Sequence, residues 1–249
     1  MDAVLASIKQ ISRDYTEQNA PFNTLVFPEE YLLNTVENSD NKLHAEQKLR
    51  FLTLFSTLDY NRNATQLAKN IIEFYTQTPH NLNPTQIDSE EKLTQQFQSI
   101  KFRYSSRDAH AWFVNSTIIS DQYNGDISNL LEKVNYDAPD LVSQIRKDNF
   151  LYLKGKKIAP MYARFISTYI HPLTRLWKLD IPVDTHINRL TTNLIDQDLT
   201  NDETRFWWRN FANEYNISRH VVDGALWQIG NNWTEWGETY WNTLPHNTS

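Results

Sequence analysis

Glycine is scarce in this chain, with only five among 249 residues, and this argues against folds built on many glycine-rich turns. Regular alternation of apolar and polar residues, which marks half-buried strands, is also rare. Apolar residues recur instead at intervals of three and four, the spacing of one helix face. The length is sufficient to bury a sizeable core. We therefore predict an all-α fold with short connections, forming a single compact unit over residues 1–249.

Apolar spacing and turn signals place the helices along the chain. The predicted helices cover residues 3–15, 49–60, 65–75, 107–120, 127–134, 141–147, 202–215 and 218–229, with a loop at 76–91. Proline is tolerated in the first turn of a helix, so the helix that contains Pro160 should begin near residues 156–158 and stop by Pro172. Asp184 precedes apolar residues at helical spacing, which predicts that it caps a further helix.

The composition excludes several kinds of site. The chain has no cysteine, which removes disulfides, thiolate nucleophiles and cysteine-ligated iron–sulfur or zinc sites. The histidines show no metal-ligand spacing, so we expect no metal, no iron–sulfur cluster and no other cofactor. No run of 18 apolar residues and no signal-peptide pattern occur. We therefore expect no membrane partner and an intracellular location, in the cytoplasm and nucleoid, or in the nucleus of a eukaryote.

Positive charge is concentrated in one segment although the whole chain has a net charge of −6. Residues 146–189 hold nine Lys or Arg and three Asp, a local net charge of +6. Such asymmetry is typical of a surface that binds an anion on one face. A solvated basic patch without a ligand is the alternative.

Two helix starts within the basic segment carry the residues with chemical potential. Lys157 follows Lys154 and Lys156, and it stands where the positive end of a helix dipole is expected. Both effects disfavour the ammonium form and predict a reactive amine. Asp184, 27 residues later, starts the next helix, and its carboxylate can accept a proton or stabilise a cationic sugar. The two can meet in one cleft, which suits imine chemistry at a sugar carbon.

The turn before Lys157 also suits a phosphate group. Gly155 allows close approach to the backbone, and Lys154 and Lys156 add positive charge. Taken alone, these lysines are more typical of a solvated loop, and Asp184 alone is more typical of an ordinary N-cap. Their order within one basic segment favours the functional interpretation.

The stretches 150–159 and 181–190 resemble the helix–hairpin–helix signature of the endonuclease III superfamily of DNA glycosylases. The resemblance implies an all-α, two-lobed fold with a cleft between the lobes. One lobe would cover about 50–188 and end in the hairpin, about 146–165, and the other would combine about 1–49 with 189–249. The likeness spans roughly residues 45–235 but is diffuse outside the motifs. The hairpin's usual proline and first glycine are replaced by Tyr152 and Leu153.

The resemblance also implies residue roles. Lys157 would attack C1′ of the sugar and Asp184 would assist, so the resemblance implies a DNA glycosylase with AP-lyase activity that acts in base excision repair. Lys154, Gly155 and Lys156 would bind the DNA backbone, and we assign Arg189 to the same role. The implied partner is double-stranded DNA with a damaged base, and we expect a monomer.

Within the superfamily, the archaeal-type 8-oxoguanine glycosylases are most similar, through Arg189-Leu190-Thr191 and through residues 222–227. In that subfamily an Asp and a Trp four residues apart recognise the flipped base, and Asp223 and Trp227 match them. A helix cap and a core tryptophan are the alternative roles for this pair. We predict 8-oxoguanine as the lesion, with an oxidised pyrimidine or an alkylated purine as alternatives. A non-catalytic DNA-binding protein and a helical protein-interaction scaffold remain open as other functions.

Overall fold

A computed structural model of the chain describes residues 1–24, 26–40 and 43–247. In these ranges the backbone forms thirteen α-helices, several short helical turns and no strand. The nearest approach to a strand pair is an isolated bridge between Asp137 and Thr174. The predicted all-α class is therefore confirmed.

The thirteen helices are as follows. They are α1 (Asp2–Thr16), α2 (Pro28–Asp40), α3 (Ala45–Leu58), α4 (Ala64–Gln77), α5 (Glu90–Ser99), α6 (Ser105–Tyr123), α7 (Ser128–Lys133), α8 (Ala138–Lys147), α9 (Ile158–Tyr169), α10 (Thr185–Ile195), α11 (Asn201–Tyr215), α12 (Arg219–Asn231) and α13 (Glu238–Asn242). Short 3₁₀ turns lie at Phe22–Thr24, Pro79–Leu82, Pro84–Gln86, Leu176–Lys178 and Pro245–Asn247, and a π-helical turn lies at Trp233–Gly237.

Proline and N-cap residues set the helix limits near the candidate site. Helix α9 begins at Ile158, so Pro160 stands in its first turn and Pro172 follows its end. Helix α10 begins directly after Asp184, whose side chain accepts hydrogen bonds from two backbone N–H groups. Both limits agree with the sequence prediction, because each depends on local backbone chemistry.

The sequence prediction omitted three helices, α2, α5 and α13. Helix α2 starts with Pro28 followed by Glu29 and Glu30, and negative charge in the first turn is favourable there because it faces the positive end of the helix dipole. Helix α5 is capped by Ser89, whose side chain accepts from the Lys92 N–H at 3.3 Å. The predicted loop at 76–91 contains two 3₁₀ turns.

The chain forms two compact units. The first unit consists of Met1–Leu25 and Trp177–Ser249, and the second of Val26–Leu176. The sequence interpretation had placed the corresponding limits near residues 49 and 188. Helix α2 belongs to the second unit because it packs against α4.

The first unit is built around α12, which packs against both α1 and α10. Its core combines aliphatic side chains of these helices with aromatic rings from the C-terminal part of the chain. Trp208 is fully buried there, and its Nε1–H donates to Thr191 Oγ1 at 2.8 Å. A buried indole N–H normally finds such a partner.

The second unit is built around α3. This helix is buried from Phe51 to Leu58 on all sides, as expected for a helix enclosed by others. Helices α2, α4, α6 and α9 pack around it, while α5 packs on α6 and α8 on α9. The buried hydroxyls of Thr53 and Tyr162 lie 2.7 Å apart and satisfy each other between α3 and α9. Helix α9 is therefore fixed against the core of the second unit.

Candidate functional site

Helices α8 and α9 pack against each other and are joined by residues 148–157, called here the α8–α9 connection. Helix α8 ends where Asn149 takes a left-handed conformation with φ 64°, and the Phe150 N–H donates to the Ile145 carbonyl at 3.2 Å. This is a common C-terminal pattern. Phe150 and Leu153 are fully buried. These two side chains anchor the connection to the core and leave its polar residues at the surface.

Asn115 of α6 fixes the path of the connection. Its Oδ1 accepts from the Leu151 N–H at 2.7 Å, and its Nδ2 donates to the Leu151 carbonyl at 3.0 Å. Nδ2 also lies 3.1 Å from Thr57 Oγ1 of α3. Asn115 is fully buried, where an unsatisfied amide would be costly. Sequence reasoning did not identify this residue, because no local pattern marks a contact between such distant segments.

A Cβ atom at Gly155 would fit without a clash. Its φ lies outside the left-handed region, and a Cβ would meet the Tyr152 carbonyl oxygen at 3.4 Å, an ordinary contact. The fold of the connection therefore does not require glycine at this position. That Gly155 lets a phosphate approach the backbone stays a prediction.

The lysines on either side of Gly155 lie at the surface. Lys154 and Lys156 are both exposed, and the Lys154 ammonium donates to Asn149 Oδ1. Arg146 and Lys147, at the end of α8, are exposed as well. Four positive side chains thus border the α8–α9 connection.

Lys157 stands at the N-cap position of α9, as predicted. Its side chain is one-third exposed, and its Nζ lies 4.0 Å from Oδ2 of Asp59. Asp59 follows α3 directly, and its side chain is only 11% exposed. The candidate nucleophile is therefore held in an ion pair, which must open before the amine can reach a substrate.

Asp184 acts as the N-cap of α10. Its Oδ1 accepts from the N–H groups of His186 and Ile187 at 2.9 and 3.0 Å. These bonds fix the orientation of the carboxylate at the helix start. Asp184 belongs to the first unit and Lys157 to the second. That the two act together stays a prediction.

Asp223 and Trp227 lie four residues apart on α12 and share one face of it. Asp223 is 4% exposed and stands in the second turn, since Ser218 is the N-cap of this helix. Asp223 therefore does not cap α12 itself. Trp227 is partly buried and packs against the core of the first unit. Their role in base recognition stays a prediction.

Arg189 of α10 is exposed but is engaged within its own unit. Its guanidinium lies 4.7 Å from the centre of the Trp233 ring, and Nη2 donates to the Gly230 carbonyl at 3.4 Å. A Cβ on Gly230 would lie 2.5 Å from His186 Cβ. Glycine is thus required here for α10 and α12 to pack closely, and this contact positions Arg189.

The basic segment 146–189 is partly neutralised. Arg164 pairs with Glu29, and Arg175 pairs with Asp137 and Asp140. The segment also divides between the two units after Leu176. Apart from the paired Arg175, the exposed positive residues of this segment in the second unit lie in or next to the α8–α9 connection.

Sequence reasoning also missed an aromatic and cationic cluster next to the connection. Tyr60, Tyr104 and Tyr152 lie around the Arg107 guanidinium, at 3.8 to 5.3 Å from the ring centres. The sequence offered one signal, since Arg103, Tyr104 and Arg107 stand three and four residues apart at a helix start.

Among residues 1–24, 26–40 and 43–247, no group of three or more His, Asp or Glu side chains is placed to hold a metal ion. Within the same ranges, every helix is too short or too polar to cross a membrane.

Comparison of the chain with protein-family models, with curated proteins and with solved structures finds no match.

Proposed function

We propose that this chain is a DNA glycosylase with AP-lyase activity that excises a damaged base, 8-oxoguanine, through an imine at Lys157. The α8–α9 connection is the observation that carries the proposal. It presents Lys157 at the start of a helix, beside an open glycine backbone and exposed lysines. This arrangement suits a phosphate backbone and a nucleophile next to it.

In this proposal the protein binds DNA through contacts with the phosphate backbone. Lys154, Lys156 and Arg189 are exposed cations, and the missing side chain of Gly155 leaves room for a phosphate beside Lys154 and Lys156. Phosphate contacts of this kind release counterions, so affinity should fall steeply as salt rises. The damaged base would leave the helical stack to become accessible, at a cost of about a few kcal/mol that backbone contacts and stacking offset.

The proposed reaction begins when Lys157 leaves its ion pair with Asp59 and gives its ammonium proton to solvent. The nitrogen lone pair forms a bond to C1′ while the bond from C1′ to the base breaks, and the base leaves with that electron pair and is protonated. Asp184 stabilises the positive charge that develops on the sugar. Loss of a proton from nitrogen and opening of the sugar ring give an imine between Lys157 and C1′.

Strand cleavage follows from the imine. Removal of a C2′ proton pushes electrons towards C3′, and the bond from C3′ to its phosphate oxygen breaks in a β-elimination. Water then hydrolyses the imine and releases Lys157. No cofactor is needed for any of these steps.

The choice of 8-oxoguanine as the lesion rests on two side chains of α12. Asp223 supplies carboxylate oxygens and Trp227, four residues on, supplies an aromatic surface. This combination fits a purine that donates N–H groups and stacks. An oxidised pyrimidine or an alkylated purine would use other contacts.

A second function is supported by the ion pair of Lys157. Because Asp59 lies 4.0 Å from the amine, the resting lysine is paired within the protein, and the connection would then serve as a structural DNA grip. The protein would then bind DNA without catalysis.

Base release and strand nicking distinguish these functions. Duplexes that contain 8-oxoguanine or an abasic site are incubated with the wild type, with Lys157→Gln and with Lys69→Gln, an exposed lysine of α4, as the matched control for charge. The glycosylase proposal expects both activities to vanish in Lys157→Gln only. Salt-sensitive DNA binding without any base release or nicking by the wild type would support the non-catalytic function.

A further inference from the structure

Three tyrosines and three arginines of the second unit form one group, called here the Tyr–Arg cluster. Its members come from the turn after α3, from the start of α6 and from the α8–α9 connection. They are Tyr60, Arg62, Arg103, Tyr104, Arg107 and Tyr152.

Two rings of the cluster are open to solvent. Tyr60 is 51% exposed and Tyr152 is 36% exposed. Their ring centres lie 6.0 Å apart, with only 25° between the ring planes. The two side chains therefore present neighbouring, nearly parallel aromatic faces. Single exposed rings are common, whereas two adjacent ones form a contiguous apolar surface of the kind that marks binding sites.

The arginines give the cluster a net positive charge. Asp108 is its buried carboxylate, and Arg62 holds it with two hydrogen bonds of 2.7 and 2.8 Å. Arg107 lies 3.8 Å from the same carboxylate, beyond hydrogen-bond range. Arg103 is exposed and donates to the Asn61 carbonyl at 2.7 Å. The positive charges of Arg103 and Arg107 therefore exceed what Asp108 neutralises.

Arg107 also joins the three rings. Its guanidinium carbon lies 3.8 Å from the centre of Tyr104, 5.1 Å from Tyr60 and 5.3 Å from Tyr152, all within cation–π range. These contacts orient the two exposed rings and keep a cation beside them.

The backbone at Tyr152 adds an independent observation. Its φ is 58°, a left-handed conformation that bulky residues rarely adopt and that glycine adopts without strain. Strain that persists in a native structure often marks a functional position. Here the strained backbone holds an aromatic ring at the surface, next to the hydrogen bonds between Asn115 and Leu151.

We propose that the Tyr–Arg cluster binds an unpaired base in a single-stranded stretch of DNA. The base stacks on the exposed faces of Tyr60 and Tyr152, and Arg103 or Arg107 contacts its phosphate. Aromatic rings next to a basic groove are the usual means of binding single strands, because every base has a flat π-face. The inference rests on the proposed function only in taking DNA as the partner.

Fluorescence anisotropy of labelled oligonucleotides tests the proposal. The wild type is titrated with a single-stranded DNA oligonucleotide and with one of equal length whose sugars carry no bases. We expect the strand with bases to bind about 5- to 150-fold more tightly, the range for stacking of one base. Tyr60→Ala and Tyr152→Ala should lose this preference. Tyr60→Phe, which keeps the ring, should retain it.

The control variant is Tyr31→Ala, since Tyr31 is an exposed tyrosine of α2 in the same unit. Its preference for bases should equal that of the wild type. Equal binding of the two strands by the wild type would overturn the proposal, as would the same loss in Tyr31→Ala. Tighter binding of an RNA strand of the same sequence would assign the site to RNA instead.

The outcome is separable from that of the proposed function. Base-dependent binding with no base release from any duplex would leave the cluster as a single-strand site and reject the glycosylase. Base release without base-dependent binding would reject only the cluster.

Discussion

Lys157 Nζ lies 4.0 Å from Asp59 Oδ2, and this pair joins the start of α9 to the end of α3. The amine proposed as a nucleophile is thus paired in the resting protein. Since Lys157 is one-third exposed, solvent weakens the attraction, and the pair contributes about 0–1 kcal/mol. Opening it is therefore a small barrier to catalysis.

Replacing Asp59 tests whether the pair restrains the lysine. Asp59→Asn keeps the shape of the side chain and removes its charge, so the amine should reach an abasic site more readily. We expect imine formation to become up to about 5-fold faster, which corresponds to the free energy of an exposed ion pair. The rate is measured by borohydride trapping over time. A decrease of 10-fold or more would show that the carboxylate takes part in the reaction itself.

Asn115→Ala should loosen the α8–α9 connection. It removes both hydrogen bonds to Leu151 and the one to Thr57, and we expect a loss of about 1–3 kcal/mol in the free energy of unfolding. Urea unfolding measures it, with Asn34→Ala, an exposed site on α2, as the control. DNA affinity should fall in the first variant alone. Unchanged stability of Asn115→Ala would contradict the anchoring role.

Gly155→Ala separates folding from binding at the connection. The added Cβ meets only the Tyr152 carbonyl oxygen, at 3.4 Å, so the free energy of unfolding should change by less than about 1 kcal/mol. The methyl group would obstruct a phosphate at this backbone, and DNA affinity should fall several-fold. Reduced stability with unchanged affinity would mean that Gly155 is required for the fold alone.

Acid should weaken the ion pair between Asp137, the N-cap of α8, and Arg175, which follows α9. Hydrogen bonds from the Arg175 guanidinium lower the pKa of Asp137 to about 2 from its ordinary value of 3.8. A lowered pKa means that the carboxylate stabilises the fold above about pH 4 and loses this effect as the pH falls towards 2.

Asp137→Asn keeps a side chain that can cap α8 but removes the charge. It should cost about 1–2 kcal/mol at pH 7, and the difference from the wild type should disappear near pH 2. Urea unfolding of both proteins between pH 2 and pH 7 measures this difference. A difference that stays constant over that range would contradict the assigned cause.

Asp223→Ala tests base recognition on α12. If Asp223 binds the damaged base, the variant should release 8-oxoguanine more slowly while it still cleaves a pre-formed abasic site, because that substrate has no base to recognise. Both rates are measured with the same protein, and thermal unfolding checks its fold. Equal losses in the two assays would remove Asp223 from base recognition.

Local signals made part of this structure predictable. The start of α9 and the capping of α10 follow from Pro160 and Asp184, because a proline or an N-cap residue acts on its own backbone. Helix α2 was missed although Pro28 and two glutamates mark its start. Its apolar face has a weak period, so spacing alone did not indicate a helix.

Contacts between distant segments were not predictable. Asp59 meets Lys157, and Asn115 meets Leu151, only after α3, α6 and α9 have packed. The Tyr–Arg cluster likewise joins three separate parts of the chain. Single-sequence patterns report periodicity and capping, whereas such pairs depend on how the helices pack.

The central claim is that Lys157 forms an imine with the sugar, and mapping the trapped covalent adduct tests it most directly. The protein is mixed with a duplex that carries an abasic site or 8-oxoguanine, borohydride is added, and the adduct is digested and mapped by mass spectrometry. The glycosylase proposal expects one modified peptide, with the sugar remnant on Lys157, for both duplexes. The proposal is contradicted if neither duplex gives an adduct. It is also contradicted if the adduct lies on another lysine and persists in Lys157→Gln.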